Sequence, residues 1–554
     1  MWETLNRPEP PTAARYHAEG WWRRGTFLDD LASTVQDAPE RPAIIAYSGG
    51  KVVQELTYRE LSGCVDRFAG ALRELGVGSG DVVMAYLPNW WMLTPLFLAC
   101  TRLDAVIFPF HPAYAGRELA KALRISGAKV CVTADTYEGT DMAARLAEAV
   151  ADESVHRVVV GGDAGRTGAI DFEEFFVRTA WEERVDLSGI APRDPDEVGL
   201  LLFTSGTTGE PKCIAHTGNT LYAAVRTVSV PFDVRTGSVI SIPHFLTHMA
   251  GGTYGVYMSV ATGSTCVMQD DTDMELLLDI IAAHQVTFAY ASPLYVTHLL
   301  AAQRGRQRDL SSLRHLVSGS APIPSKLISE AQEVLGVEMY ALWGMTENGG
   351  VTVTRPGDPI GWAAESDGST EPWMEVRVAV DAEYAGSGGP AFGRLLTRGA
   401  SQCLGYVNLP EVYAACVDED GWFDTGDTAR EDGRGGIRIT GRRDDLITRA
   451  TGAKVPTLEV EALLVRHPSV AEVVLIGYPD PTMEGAEEVC AMVVAGSGEP
   501  PTLEQLREAL DAEKVTWENW PDRLELVAAL PKNSLGKVQR TDLRKQLLDL
   551  VAAD

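Results

Sequence analysis

Short apolar runs alternate with helix-period stretches through most of the first 340 residues of the chain, and this alternation limits the fold more than any other feature. RPAIIAY (41–47), GDVVMAYL (80–87), VIFPF (106–110) and KVCVTA (129–134) read as strands. Between them LTYRELSGCVDRFAGALRELGV (56–77), WWMLTPLFLACTRLDA (90–105) and GRELAKALRISGA (116–128) place apolar residues three and four apart, as helices do. Strand, helix, strand in repetition predicts parallel sheets covered by helices. The pattern resumes with VGLLLF (198–203), SVISI (238–242), STCVMQ (264–269), VTFAYA (286–291) and LRHLVSG (313–319), with the helix PSKLISEAQEVLG (324–336) near its end.

From about Val351 to Thr440 the texture changes. EVRVAV, GRLLTRG and GIRIT are short strands parted by Gly and Asp turns, which predicts a small antiparallel barrel or sheet. After GRRDD (441–445) a compact α+β unit follows. The expected division is a core over 1–443 and a smaller terminal domain over 444–554. At 554 residues the chain is too long for one core, which agrees.

Composition excludes more than it assigns. Lys plus Arg number 48 and Asp plus Glu 77, a net charge of −29, which argues against a nucleic-acid or anionic-membrane surface. The eight cysteines form no C-x-x-C pair and no zinc-spaced cluster, so buried, reduced thiols are expected. The first residues lack the apolar core of a signal peptide, and no apolar run is long enough to span a bilayer. A cytoplasmic protein is the expectation.

FTSGTTGEPK (203–212) is the most informative short stretch. Thr204, Ser205, Thr207 and Thr208 offer hydroxyl and amide donors, Gly206 and Gly209 allow close backbone approach, and Lys212 adds a cation. A strand, a donor-rich turn and then a helix is one way to cradle phosphates. The spacing is not that of the P-loop, because Gly209 is followed by Glu-Pro-Lys.

The stretch resembles the signature loop of the adenylate-forming superfamily: acyl-CoA synthetases, adenylation domains of peptide synthetases, and luciferases. Five more segments resemble that family's motifs in the same order: LTYREL (56–61), ALWGMTE (341–347), WFDTGD (422–427), GRRDDLI (441–447) and PKNSLGKVQR (531–540). The resemblance implies a large N-terminal domain of two βαβ-type subdomains plus a small β-barrel, and a mobile α+β C-terminal domain. It implies that ATP, with Mg²⁺, is attacked at its α-phosphate by a carboxylate, and that two meeting anions need neutralising.

The roles implied are these. Thr204 to Lys212 hold the β- and γ-phosphates. Thr346 donates to the α-phosphate, and Glu347 is a hard oxygen ligand for the metal. Trp343 and Gly344 lie against the nucleotide, Trp343 offering a face to adenine. The turn Ser318, Gly319, Ser320, Ala321, Pro322 lies beside adenine. Asp427 accepts from the ribose hydroxyls, assisted by Arg442. Lys537 swings in to bridge the substrate carboxylate and the α-phosphate, a task suited to a compact, flexible charge. Asp444 is the hinge between two half-reactions.

PHFLTHMAGG (243–252) corresponds to the gate of the acid pocket. His248 takes the gating place, with a packed core histidine as the plainer alternative. Leu342, where glycine is usual, would shorten the pocket. No aspartate stands there to hold an α-ammonium. A small or medium acid, aryl, alicyclic or short aliphatic, is therefore expected over a long fatty acid, with transfer to a thiol, coenzyme A or a carrier protein. Cys213, Arg394 and the loop 448–461 depart from the usual pattern. That loop borders the pantetheine channel in relatives that use coenzyme A, so the departures bear on the acceptor. Rival readings are an adenylating enzyme with a non-thiol acceptor (an amide ligase, or a nitrite-activating diazotase of an arylamine) and a silent nucleotide-binding homologue.

Overall fold

The computed structural model describes residues 2–114, 116–150, 154–190, 193–204, 212–381, 384, 391–483, 485–496, 498–532 and 538–551. Two large sheets are built from its first 370 or so residues, with one added strand, Gly405–Tyr406, from later in the chain. The larger has nine strands, in the order Ser369–Thr370, Gly349–Val353, Met339–Met345, His315–Ser318, Phe288–Ala291, Val239–Ser241, Thr265–Gln269, Pro42–Ser48 and Lys51–Thr57. Its centre is parallel and its two ends are antiparallel hairpins. The second has eight strands, in the order Gly405–Tyr406, Lys212–Thr217, Val198–Thr204, Val106–Pro109, Val82–Tyr86, Val130–Ala134, His156–Val160 and Ile170–Asp171.

The alternating pattern thus gives two parallel-centred sheets, but they are not filled in chain order. Pro42–Ser48 leaves the early segment and pairs with Thr265–Gln269. Val198–Thr204 crosses the other way and pairs with Val106–Pro109. Periodicity decides that a run is a strand; which strand it joins is decided by burial between distant runs. The helix Tyr58–Glu74 starts two residues inside the stretch 56–77 read as helical. Thr57 caps it, accepting from the Glu60 amide at 3.2 Å while the Glu60 carboxylate accepts from the Thr57 amide at 2.8 Å.

The antiparallel segment is a four-stranded sheet, Met374–Ala379, Gly393–Gly399, Phe423–Glu431 and Ile437–Arg442 in spatial order. Among the described residues no pairing closes it into the expected barrel. The terminal unit has a three-stranded sheet, Val470–Pro479, Glu487–Ala495 and Arg523–Leu526, with the helices Thr457–Leu464, Leu503–Ala512 and Arg540–Val551. Its own apolar cluster includes Val460, Leu464, Leu475, Val489 and Leu506. All eight cysteines are free, and six are buried. Among the described residues no helix is long and apolar enough to cross a membrane.

Candidate active site

The turn between strands Met339–Met345 and Gly349–Val353 carries Thr346 and Glu347. A bulge lies between Trp343 and Gly344, and a Cβ on Gly344 would sit 1.9 Å from the Gly349 carbonyl oxygen, so only glycine permits this approach. The turn is tied down on both sides. The Met345 amide donates to Asn348 Oδ1 at 3.2 Å, and the Cys403 amide to the Glu347 carbonyl at 2.7 Å. His216 Nε2 donates to the Thr346 carbonyl at 2.7 Å. A carbonyl only accepts, so this ring carries its proton on Nε2, and burial holds its pKa down to about 4.

Glu347 is 7% exposed. Its Oε1 accepts from the Tyr406 hydroxyl at 2.9 Å. Burial pushes the carboxyl above the ordinary carboxylate range; the Tyr406 hydrogen bond and the charges of Lys212 and Arg442 pull it back. The Lys212 ammonium lies 4.5 Å from the centre of the Tyr406 ring. Strand pairing explains the stack. Ile214 is the partner of Tyr406 across the ladder, so Lys212, two residues away, projects from the same face.

The second charged group comes from the four-stranded sheet. Asp427 and Arg442 are direct partners across the ladder, and Arg442 Nη1 donates to Asp427 Oδ1 at 2.8 Å. Trp343 Nε1 donates to Asp427 Oδ2 at 3.0 Å. The Trp343 indole is thus held edge-on to the carboxylate expected to bind ribose.

The turn from Ser318 to Pro322 leaves the strand His315–Ser318 and packs against Met339–Met345. Gly319 is pressed there: a Cβ would meet the Leu342 carbonyl oxygen at 2.4 Å. Ser320 has a left-handed φ of 70°, and its hydroxyl meets the Tyr290 hydroxyl at 3.0 Å. Ala321 and Pro322 emerge toward the surface.

Leu342 and Trp343 alternate across their strand. Trp343 packs near Val376, whereas Leu342 joins the buried cluster of Tyr254, Tyr290 and Met249. On that side the segment 243–252 folds over. Asn89 pins it, donating to the His244 carbonyl at 2.9 Å and accepting from the Leu246 amide at 2.7 Å. His248 caps the short helix Met249–Gly251 and is half-buried.

Some expected site residues fall elsewhere. Ser205, Gly206, Thr207, Thr208, Gly209 and Lys537 lie outside the described residues. Thr204 ends its strand directly opposite Lys212. The expected strand, turn and helix are corrected here: the signature stretch joins two antiparallel strands, Val198–Thr204 and Lys212–Thr217, and the helix Gly218–Ser229 begins only after the second. KCIAHT is a short continuous run buried on both faces between two neighbouring strands, which suits a strand within the sheet. Asp444 lies in the turn Arg443–Asp445, between the four-stranded sheet and the terminal unit. Arg540 anchors the end of the Lys537 motif. It donates to both oxygens of Glu461, at 2.8 and 2.9 Å, and to the Leu475 carbonyl at 2.8 Å.

Tyr406 and His216 were missed from the sequence. Neither lies in a motif quoted above, and each reaches the site only through strand pairing.

The arrangement brings a buried carboxylate with a cation beside it, and a second carboxylate gripped by arginine and indole, to one region. Such groups suit a polyanionic nucleotide with a divalent metal. The comparisons agree. The family model for AMP-binding enzymes matches residues 31–407, and that for the AMP-binding enzyme C-terminal domain matches 459–537. A salicylyl-CoA synthase / salicylate adenylyltransferase of Streptomyces sp. is 32% identical over 97% of this chain and 96% of that protein. A medium-chain fatty-acid–CoA ligase of Escherichia coli (strain K12) is 27% identical over 98% and 94%. The crystal structure of the anthranilate CoA ligase AuaEII in complex with anthranoyl-AMP superposes with a TM-score of 0.81 at 25% identity, covering 96% of this chain and 98% of that one. With both family models matched in order along a chain of this architecture, the protein belongs to the AMP-binding enzyme family, the adenylate-forming superfamily.

Proposed function

We propose that the protein is an AMP-forming ligase that adenylates a small or medium carboxylic acid, aryl, alicyclic or short aliphatic, and passes the acyl group to the thiol of coenzyme A. The observation that supports this best is the convergence of Lys212, Glu347, Asp427 and Arg442, which are spread over 230 positions of sequence and meet through strand pairing. Attack of a carboxylate on the α-phosphate brings negative charges together, and preorganised cations and donors lower that barrier. Lys212 faces the departing phosphates, and Asp427 with Arg442 and Trp343 positions the nucleoside. Glu347 would hold Mg²⁺, which supplies charge neutralisation at the phosphates.

In this reading residues 1–443 form the adenylation core. Asp444 is the hinge, and residues 444–554 deliver Lys537 to the substrate carboxylate. Arg540, buried against Glu461 and Leu475, fixes the end of that motif to the terminal domain. The experiment is to incubate the protein with ATP, Mg²⁺ and a panel of acids, then add coenzyme A or an amine. Release of pyrophosphate and AMP followed by thioester formation is expected. An amide product, or none with coenzyme A, would displace the thiol acceptor.

A further inference from the structure

His216 is fully buried, and both of its ring nitrogens are engaged. Nε2 donates to the Thr346 carbonyl, and Nδ1 meets the Thr220 hydroxyl at 3.0 Å. Burial keeps the ring neutral, so the proton on Nε2 is its only one. Nδ1 is then the acceptor, and the Thr220 hydroxyl donates to it. Thr220 is fixed in turn. It stands in the first turn of the helix Gly218–Ser229, where its amide donates to the Thr217 hydroxyl at 3.0 Å and its own hydroxyl accepts from the Thr217 amide at 3.0 Å. A capped helix start, a hydroxyl and a ring thus form a connected chain that ends on one backbone carbonyl.

That carbonyl belongs to the residue expected to meet the α-phosphate. The carbonyls of three successive residues are taken there: Thr346 by His216, Glu347 by the Cys403 amide at 2.7 Å, and Asn348 by the Ser401 hydroxyl at 2.7 Å. The Thr346 side chain differs. It is half-buried, and among the described residues its hydroxyl has no hydrogen-bond partner. The backbone is held while the hydroxyl is left for a ligand, which is how a site preorganises a donor.

His216 also shares a strand face with Lys212. Residues 212, 214 and 216 project to one side of the strand Lys212–Thr217. Lys212 lies against the Tyr406 ring, whose hydroxyl holds Glu347, and His216 holds Thr346. One strand therefore addresses both functional residues of a turn that lies 130 positions further along the chain.

We propose that His216 is a positioning residue for the adenylation step: its Nε2–H holds the Thr346 backbone so that the Thr346 hydroxyl meets the α-phosphate as charge develops there. His216 touches no substrate and acts only through Thr346. The proposal rests on reading the protein as an acid-adenylating enzyme.

The test measures acid-dependent ATP–pyrophosphate exchange with the best acid of the panel, ATP affinity by calorimetry and melting temperature. His216→Phe should lower kcat tenfold or more, while ATP affinity and KM for the acid stay within threefold of wild type. His216→Gln keeps an N–H donor and should recover at least fivefold. Thr346→Ala alone should also lower kcat. In that background His216→Phe should cost less than threefold further, because the hydroxyl it positioned is gone. A ring that only filled space would not separate glutamine from phenylalanine in this way, and its loss would multiply with that of the hydroxyl. If His216→Phe does not fold, Thr220→Val, which frees the ring without altering the turn, goes through the same cycle with the same expectation. Losses that multiply, a glutamine variant no better than the phenylalanine one, or a defect confined to ATP affinity would overturn the proposal. No exchange by the wild-type protein with any acid overturns the adenylation reading, and this one with it.

Discussion

The Tyr406 hydroxyl donates to Oε1 of Glu347 across 2.9 Å, while the same ring supports the Lys212 ammonium 4.5 Å from its centre. One side chain thus places the buried carboxylate and the cation beside it. Tyr406→Phe keeps the ring and removes the donor. Glu347, already raised by burial, then rises further, because the hydrogen bond was one of the influences pulling it down. Its ionised form is then reached only at higher pH. The acid limb of the kcat/KM profile for pyrophosphate release should move to higher pH, with a loss on the order of 1–3 kcal/mol for the unpaired carboxylate. An unshifted limb would separate Glu347 ionisation from turnover.

Asp427→Ala removes the partner of both Arg442 and Trp343. If this carboxylate also accepts from ribose, ATP affinity falls by about tenfold or more, corresponding to roughly 1–3 kcal/mol of lost hydrogen bonding. Calorimetric titration with ATP measures it. Unchanged affinity would mean that Asp427 serves only to orient Arg442 and Trp343.

Leu342 lies on the same side as Tyr254 and Tyr290, away from Trp343. Leu342→Gly should therefore reorder the acid panel toward bulkier members, with selectivity moving by roughly 1–3 kcal/mol per added methylene-sized group. Loss of a buried leucine also costs about 2–5 kcal/mol of stability, read as a lower melting temperature. A lower melting temperature with the same rank order of acids would make Leu342 a packing residue only.

Four histidines sit far below their ordinary value of 6.5 through burial: His244 at about 3, and His111, His216 and His248 at about 4. Below pH 6.5 the unfolded chain binds protons on these rings and the folded protein does not. Their burial therefore carries no proton-linked penalty above pH 6.5, and destabilises the fold increasingly as pH falls toward 4 and then 3. Each steepens the decline by up to about 1.4 kcal/mol per pH unit. Urea midpoints measured from pH 7.5 down to 5 should fall steadily below 6.5, and His244→Phe should flatten the slope by about one proton. A midpoint indifferent to pH over that range would show that the rings are not held neutral.

The sequence made the strands and helices readable because periods of two and of three to four residues are local properties. KVVQELT was missed as a strand since it is an edge strand with most of its side chains exposed. The exchange of Pro42–Ser48 and Val198–Thr204 between sheets was not legible, because pairing partners so distant in the chain, Cys266 for Ile44 and Ile107 for Leu200, leave no local mark. The motif residues Glu347, Asp427, Arg442 and Trp343 do meet, and their contacts follow from register. Tyr406 and His216 were invisible for the converse reason. Each is an ordinary residue in an ordinary strand or loop until distant segments close over it.

The central claim is acid-dependent adenylation, and ATP–pyrophosphate exchange without coenzyme A or amine tests it most directly. Labelled pyrophosphate should enter ATP only when a suitable acid and Mg²⁺ are present. Lys537→Ala should lower that exchange by about 10²–10³-fold, as removal of a group meeting developing charge does, while ATP still binds. Exchange that proceeds equally without acid, or ADP and phosphate in place of AMP and pyrophosphate as products, would contradict the account.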